Sequence, residues 1–132
     1  MKQEAMNSAP KSLLYWLCGA FALALIVIGV LAIIAPISAS MMFGVPATTA
    51  EAVPWVRLAG IRDIALGLIF CAITALKQSR ATGILMLLTA VVPATDAATV
   101  FLQNGLSYGV FIHGSSIVFM LIVGTLLLRR NN

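Results

Sequence analysis

Charge is scarce in this chain. Of its 132 residues only 9% are Asp, Glu, Lys or Arg, against 61% hydrophobic, and the mean hydropathy is +1.07. That composition lies well outside the soluble range and excludes an ordinary water-borne domain. Cysteine is nearly as rare. Cys18 and Cys71 are far apart and form no CxxC pair, which excludes a disulfide framework and argues against a quinone-linked disulfide oxidoreductase. Free, buried thiols are the expected state of both. There is no metal-ligand spacing, no glycine-rich phosphate loop, no nucleophile elbow and no internal repeat, so neither a metal nor a cofactor is expected.

What fills the chain instead is four apolar runs, near Leu13–Ala35, Trp55–Leu76, Ala81–Leu102 and Ser107–Leu128. Each is about the ~20 residues a helix needs to cross a bilayer. No room for a soluble domain is left between them. The expected fold is all-α: one integral membrane four-helix bundle over residues 1–132, with a short interfacial segment between its first two spans. The first run follows Lys11, but its apolar core of roughly 23 residues exceeds the ~7–15 of a signal peptide. Tyr15-Trp16-Leu17 ahead of Cys18 lacks the small residues of a lipoprotein cleavage site, and the run reads as a retained span.

The basic residues give an orientation. Lys2, Lys11, Lys77, Arg80, Arg129 and Arg130 fall on one side of the four-span arrangement and none falls in the other two loops, which puts both termini in the cytoplasm. Tyr15 and Trp16 at the inner end of the first span, and Trp55 and Tyr108 at outer ends, fit interfacial belts. The protein is thereby expected in the cytoplasmic membrane if the cell is bacterial. The net charge of +4 is topology signal and calls for no nucleic-acid partner.

Against this background Arg62, Asp63, Asp96 and His113 stand out inside the spans. A charged residue at a helix centre costs about 2.5–3.5 kcal/mol on insertion scales. Counting from the outer ends puts Arg62 and Asp63 about 12–13 Å deep, and Asp96 and His113 about 9 Å deep, all in the outer half. Short connections make the second and third spans, and the third and fourth, expected antiparallel neighbours, so the four groups can meet. Two arginines, Arg57 and Arg62, against two aspartates would leave the cluster neutral. Arg57 is shallow enough to snorkel as an interface anchor beside Trp55, or to reach a ligand.

The third run carries Thr89, Asp96, Thr99 and Gln103 on one helical stripe. Pro93 cannot donate to the Thr89 carbonyl and should kink the helix just before Asp96. In the fourth run His113 shares a face with Gly109 and Ser116, small residues that let another helix approach. His113 is either a packing residue or, beside an aspartate, a proton carrier near neutral pH. Gly60, Gly67, Ala65 and Ala72, and Ala90, Ala94, Ala97 and Ala98, read as packing residues.

The loop from Pro36 to Val53 is too apolar for a solvated linker, with Ile37, Met41, Met42, Phe43 and Val45. It reads as an amphipathic or re-entrant segment ending at Gly44-Val45-Pro46, either a lid over an outward pocket or a passive anchor. Thr48 to Glu51 fits a capping box that would start the second helix, or a turn before it, early.

Phe43-Gly44-Val45-Pro46, the stretch from Val56 through Gly60-Ile61-Arg62-Asp63 to Gly67, then Asp96 and His113, resemble a bacterial and fungal family of small four-span membrane proteins of unknown function. The resemblance covers roughly residues 40–115, and the Gly-Ile-Arg-Asp…Gly stretch carries most of its specificity. Some fungal relatives lie in natural-product gene clusters, so the resemblance implies chemistry on lipophilic small molecules; it supplies no catalytic residues. The size and span count are also similar to those of several membrane isomerases, hydrolases and cyclases, an analogy of architecture only.

Two classes of function follow. The first is an acid/base enzyme performing hydrolysis, isomerisation or cyclisation on a lipophilic substrate. Asp96 would be its base, His113 the proton partner, Arg62 the stabiliser of negative charge and Asp63 a fourth member of the catalytic group. Arg57, Thr99, Gln103, Ser116 and Phe43 would then bind substrate. The second is a non-enzymatic membrane protein (a transporter subunit or a ligand- or partner-binding module) whose charges only fix packing. A dual-topology multidrug transporter is disfavoured, because the first span has no charge and the loop bias is strong. The expected partners are the lipid bilayer and a lipophilic small molecule, with homo-oligomerisation left open.

Overall fold

A computed structural model describes residues 11–129; Lys2 and Arg130 of the charge pattern lie outside them. Six helices follow in order: α1 (Lys11–Ile34), α2 (Pro36–Phe43), α3 (Ala52–Ala75), α4 (Ser79–Thr89), α5 (Val91–Asn104) and α6 (Tyr108–Arg129). Four stretches are long and apolar enough to cross a membrane: Ser12–Ile34, Ala52–Ala75, Ser79–Asn104 and Tyr108–Arg129. Leu23, Val27, Leu58, Leu68, Leu88, Phe111 and Ile122 are all exposed around the outside of the bundle. An apolar girdle of that extent belongs in hydrocarbon, not in water. The end that carries Lys11, Lys77 and Arg129 is here termed proximal, and the end that carries α2 and Gly105 distal.

Among the described residues the third span alone is broken. Helix α4 stops at Thr89, Ala90 forms the joint and α5 resumes at Val91. Pro93 explains the break, since it lacks the N–H that would bond the Thr89 carbonyl. The Thr89 hydroxyl turns back onto its own helix and donates to the Leu85 carbonyl at 2.6 Å.

Glycine decides which helices meet. A Cβ on Gly60 would lie 2.6 Å from the Gly29 carbonyl oxygen, and one on Gly67 2.7 Å from that of Ala22, so α1 and α3 touch backbone to backbone. Gly83 and Gly124 do the same for α4 and α6, with a Cβ on Gly83 falling 2.9 Å from the Gly124 carbonyl. This is small-residue packing of membrane helices. The bundle is therefore two tight pairs, α1 with α3 and α4–α5 with α6. The expected broad packing of the second span on the third is not observed: α3 meets the third span mainly through α4, near their shared proximal turn. The reason is steric, because the small-residue face of α3 is already occupied by α1. Of the alanines read as packing residues, Ala65, Ala72, Ala94 and Ala98 are exposed.

The two pairs are joined at the proximal half. Leu14, Cys18, Ala22, Phe70, Met86, Met120, Val123 and Leu127 form one buried core drawn from every span. Phe21 ties the pairs, edge-on to Phe70 with ring centroids 5.5 Å apart and stacked on Phe119 at 5.4 Å. Cys18 is buried and Cys71 half-buried, both free thiols. Tyr15 fastens the proximal turn, its hydroxyl donating to the Lys77 carbonyl at 3.0 Å.

At the distal half the pairs part, and α2 lines the space between them. Pro36 begins it, and Gly44 ends it in the left-handed region at φ 105°. A Cβ on Gly44 would also meet the Gly109 Cα at 3.1 Å, so this turn needs glycine twice over. Ser40 is buried; its hydroxyl donates to the Ile37 carbonyl at 2.7 Å and accepts the Ala47 N–H at 2.9 Å, which folds the following loop back over the helix. Asn104 donates to the Gly44 carbonyl. A turn precedes α3, which starts at Ala52 with Pro54 in its first turn; the capping-box side-chain bonds are not made.

Candidate functional site

Between the parted pairs lies a cavity of about 400 Å³, within the range of pockets that hold small molecules. Its walls come from α1 (Ile28, Leu31, Ala32), α2 and its loop, α3 from Ala52 to Asp63, Thr99 of α5, and Ile112 and His113 of α6. Most of that lining is apolar. The ionisable side chains on it are Arg62, Asp63 and His113.

Arg62 sits ten residues beyond the start of α3, about 15 Å along it at 1.5 Å per residue. Its Nε donates to Asp63 Oδ1 at 3.0 Å and its Nη2 lies 2.9 Å from the same oxygen. The same Nη2 reaches Asp96 Oδ2 at 3.5 Å. The guanidinium therefore has the acidic partners its depth requires, one on its own helix and one on α5. Thus Arg62–Asp96 is a polar tie between α3 and α5 in the half where these helices do not pack.

The two aspartates are not equivalent. Asp63 lines the cavity; Asp96 does not, and holds Arg62 from the α5 side. His113 is buried and its Nε2 lies 3.2 Å from the Phe43 carbonyl oxygen. A carbonyl only accepts, so Nε2 carries the proton of that bond. The ring packs edge-on against Phe43, centroids 4.5 Å apart. His113 thus reaches the cavity as a neighbour of Asp63, bound to α2 and not to Asp96.

The remaining sequence candidates scatter. Phe43 and Thr99 line the cavity, although the Thr99 hydroxyl donates to the Thr95 carbonyl at 2.8 Å. Gln103 and Arg57 are exposed and off the lining, and Arg57 makes no ion pair among the described residues, so the cluster is one guanidinium between two carboxylates. Ser116 donates to the Ile112 carbonyl at 3.2 Å and lines a separate, shallow groove with Leu17, Phe21 and Phe119. Of the polar stripe of the third span, Thr89 and Thr99 are satisfied within their own helix, while Asp96 pairs with Arg62. Sequence reasoning missed Trp55, Val56 and Ala59, one face of α3 that continues to Arg62 and Asp63 at helical spacing. It also missed Ser40, whose only signal was a hydroxyl in an apolar segment.

Fold and girdle define an integral membrane protein of four helical spans, with a largely apolar cavity in one half that carries three ionisable side chains. Residues 22–127 match the family model of the domain of unknown function DUF4267, and the chain belongs to that family. No curated protein and no solved structure matches it.

Proposed function

We propose that this protein is a membrane-embedded acid/base catalyst acting on a lipophilic small molecule, with hydrolysis, isomerisation or cyclisation as the reaction type. The observation that carries the reading is an apolar cavity with a carboxylate, a guanidinium and an imidazole on its wall. Asp63 is the base, because it is the carboxylate on the lining. Arg62 is positioned to stabilise negative charge that develops on a substrate oxygen, and His113 to relay the proton. Asp96 acts through Arg62 as a positioning residue. Both termini face the cytoplasm, and the cavity lies in the outer half of the membrane.

The test is turnover of a panel of lipophilic epoxides, esters and unsaturated ketones by the purified protein in nanodiscs. Asp63→Asn keeps the shape but removes the basicity, and should lower turnover at least ~100-fold while the melting temperature holds. Asp96→Asn should retain more activity than Asp63→Asn. A second reading, a binding module without chemistry, is favoured by the way Arg62 is held by both carboxylates. Probes that bind the wild-type protein and emerge unchanged would establish that reading in place of catalysis.

A further inference from the structure

The charge and hydrogen-bond inventory of the cavity narrows what it can take, and the narrowing rests on the proposal that a lipophilic molecule occupies it. Arg62 carries five N–H donors. Nε and Nη2 are turned to Asp63 and Asp96, while Nη1 makes no hydrogen bond among the described residues. Those two donors belong to a side chain that lines the cavity, at a depth where water is scarce.

We infer that the ligand is an uncharged, oxygen-bearing lipophile whose carbonyl, ether or hydroxyl oxygen accepts from Arg62 Nη1. Three considerations exclude the other head groups. With both carboxylates ionised the cluster already holds two negative charges against one positive, so a carboxylate or phosphate ligand would add an anion to a site in excess of anions. An ammonium ligand would balance that excess, but it would have to shed its water, and at Asp63 Oδ1 it would meet a guanidinium nitrogen already 2.9 Å from the same oxygen, so cation would face cation. A bare hydrocarbon would leave the Nη1 donors unsatisfied in a low-dielectric site. An oxygen acceptor satisfies them and adds no charge.

The way in favours a molecule already dissolved in the bilayer. Helices α3 and α5 have little backbone contact with each other, and each contributes a residue to the cavity wall, Arg62 from α3 and Thr99 from α5. The Arg62 side chain, on that wall, is 38% exposed. The mouth is therefore lateral.

The experiment measures binding, not turnover, so it stands or falls separately from catalysis. Four tridecyl probes of equal chain length are used in nanodiscs: a methyl ketone, the alkane, the carboxylate and the primary amine. Binding is read from Trp55 fluorescence in a Trp16→Phe background, Trp55 being on the cavity wall. The ketone should bind about tenfold or more tighter than the alkane, as expected for a hydrogen bond to a charged group, and tighter than both ions. Arg62→Lys keeps the charge beside the two carboxylates but removes Nη1, and should bring the ketone down to the alkane. Ala59→Phe fills the cavity without touching the charges, and should abolish binding of all four probes. Preference for the amine, for the carboxylate or for no head group overturns the inference. So does a ketone preference that survives in Arg62→Lys or in Ala59→Phe. Binding of the ketone without conversion of any substrate would leave the inference intact and remove the catalytic reading.

Discussion

His113 holds Phe43 in two ways at once, through its Nε2 bond to the Phe43 carbonyl at 3.2 Å and through edge-on ring contact at 4.5 Å. The pair joins α6 to the last residue of α2, immediately before the left-handed Gly44. The buried histidine is therefore one fastening of a segment that lines the cavity, beside the Asn104 bond to the Gly44 carbonyl. His113→Ala should loosen α2, read as faster hydrogen exchange at residues 36–47 with the proximal core unchanged. His113→Gln keeps an N–H donor and should restore most of the protection. Equal exchange in wild type and His113→Ala would show that α2 is held by other contacts.

The crossing of α1 and α3 gives a second expectation. Gly60→Ala introduces a methyl at 2.6 Å from the Gly29 carbonyl oxygen, backbone against backbone, with no flexible side chain to yield. The pair must separate, at a cost of about 1–3 kcal/mol for overpacking. Gly114→Ala meets nothing within 4 Å and should be neutral or slightly stabilising. Thermal unfolding in detergent compares the two. A Gly60→Ala protein as stable as Gly114→Ala would mean the helices cross elsewhere.

Arg57 and Arg62 lie only about a turn and a half apart on α3, yet one is exposed and the other is held by two carboxylates. Arg62→Ala leaves Asp63 and Asp96 without their counter-charge and cuts the polar tie from α3 to α5. Arg57→Ala removes an exposed side chain with no ion pair among the described residues. The melting temperature should fall clearly more for Arg62→Ala, and adding Asp96→Asn to it should recover part of the loss. Equal losses for the two arginines would contradict the assigned depths.

Topology is open to direct measurement. Single cysteines at Asn132 and Asn104, in a background without Cys18 and Cys71, should label from opposite sides of the membrane, Asn132 from the cytoplasm. Labelling of both from one side would overturn the four-span orientation.

Much of this was legible in the sequence, and for physical reasons. Four spans follow from hydropathy alone, because bilayer thickness fixes helix length. Pro93 marked the joint at Ala90, and the cost of an unpaired arginine in a membrane foretold that Arg62 would find carboxylates. Pairing of the spans was not legible. Short loops suggested that the second span lies along the third, whereas Gly29 and Gly60 bring α3 to α1. Periodicity says which residues share a face but not which face meets which. For the same reason it could not tell Asp63, on the cavity wall, from Asp96 behind Arg62. The hydroxyls of Thr89 and Thr99 belong to the polar stripe read from the sequence, yet both are spent on their own helix, a local choice that composition does not reveal.

The Phe21 contacts to Phe70 and Phe119 have a mechanical meaning. Each glycine-zipped pair is a stiff lever, and the aromatic tie sets their fulcrum toward one end. A small rotation about that tie would spread the far ends without parting the close backbone contacts within a pair. The molecule is thus built like a pair of tweezers. Across the open jaws the ties are polar and few: Arg62 to Asp96 at 3.5 Å, His113 to the Phe43 carbonyl at 3.2 Å and Asn104 to the Gly44 carbonyl, so the grip of the jaws rests on hydrogen bonds and charge where the fulcrum rests on packing.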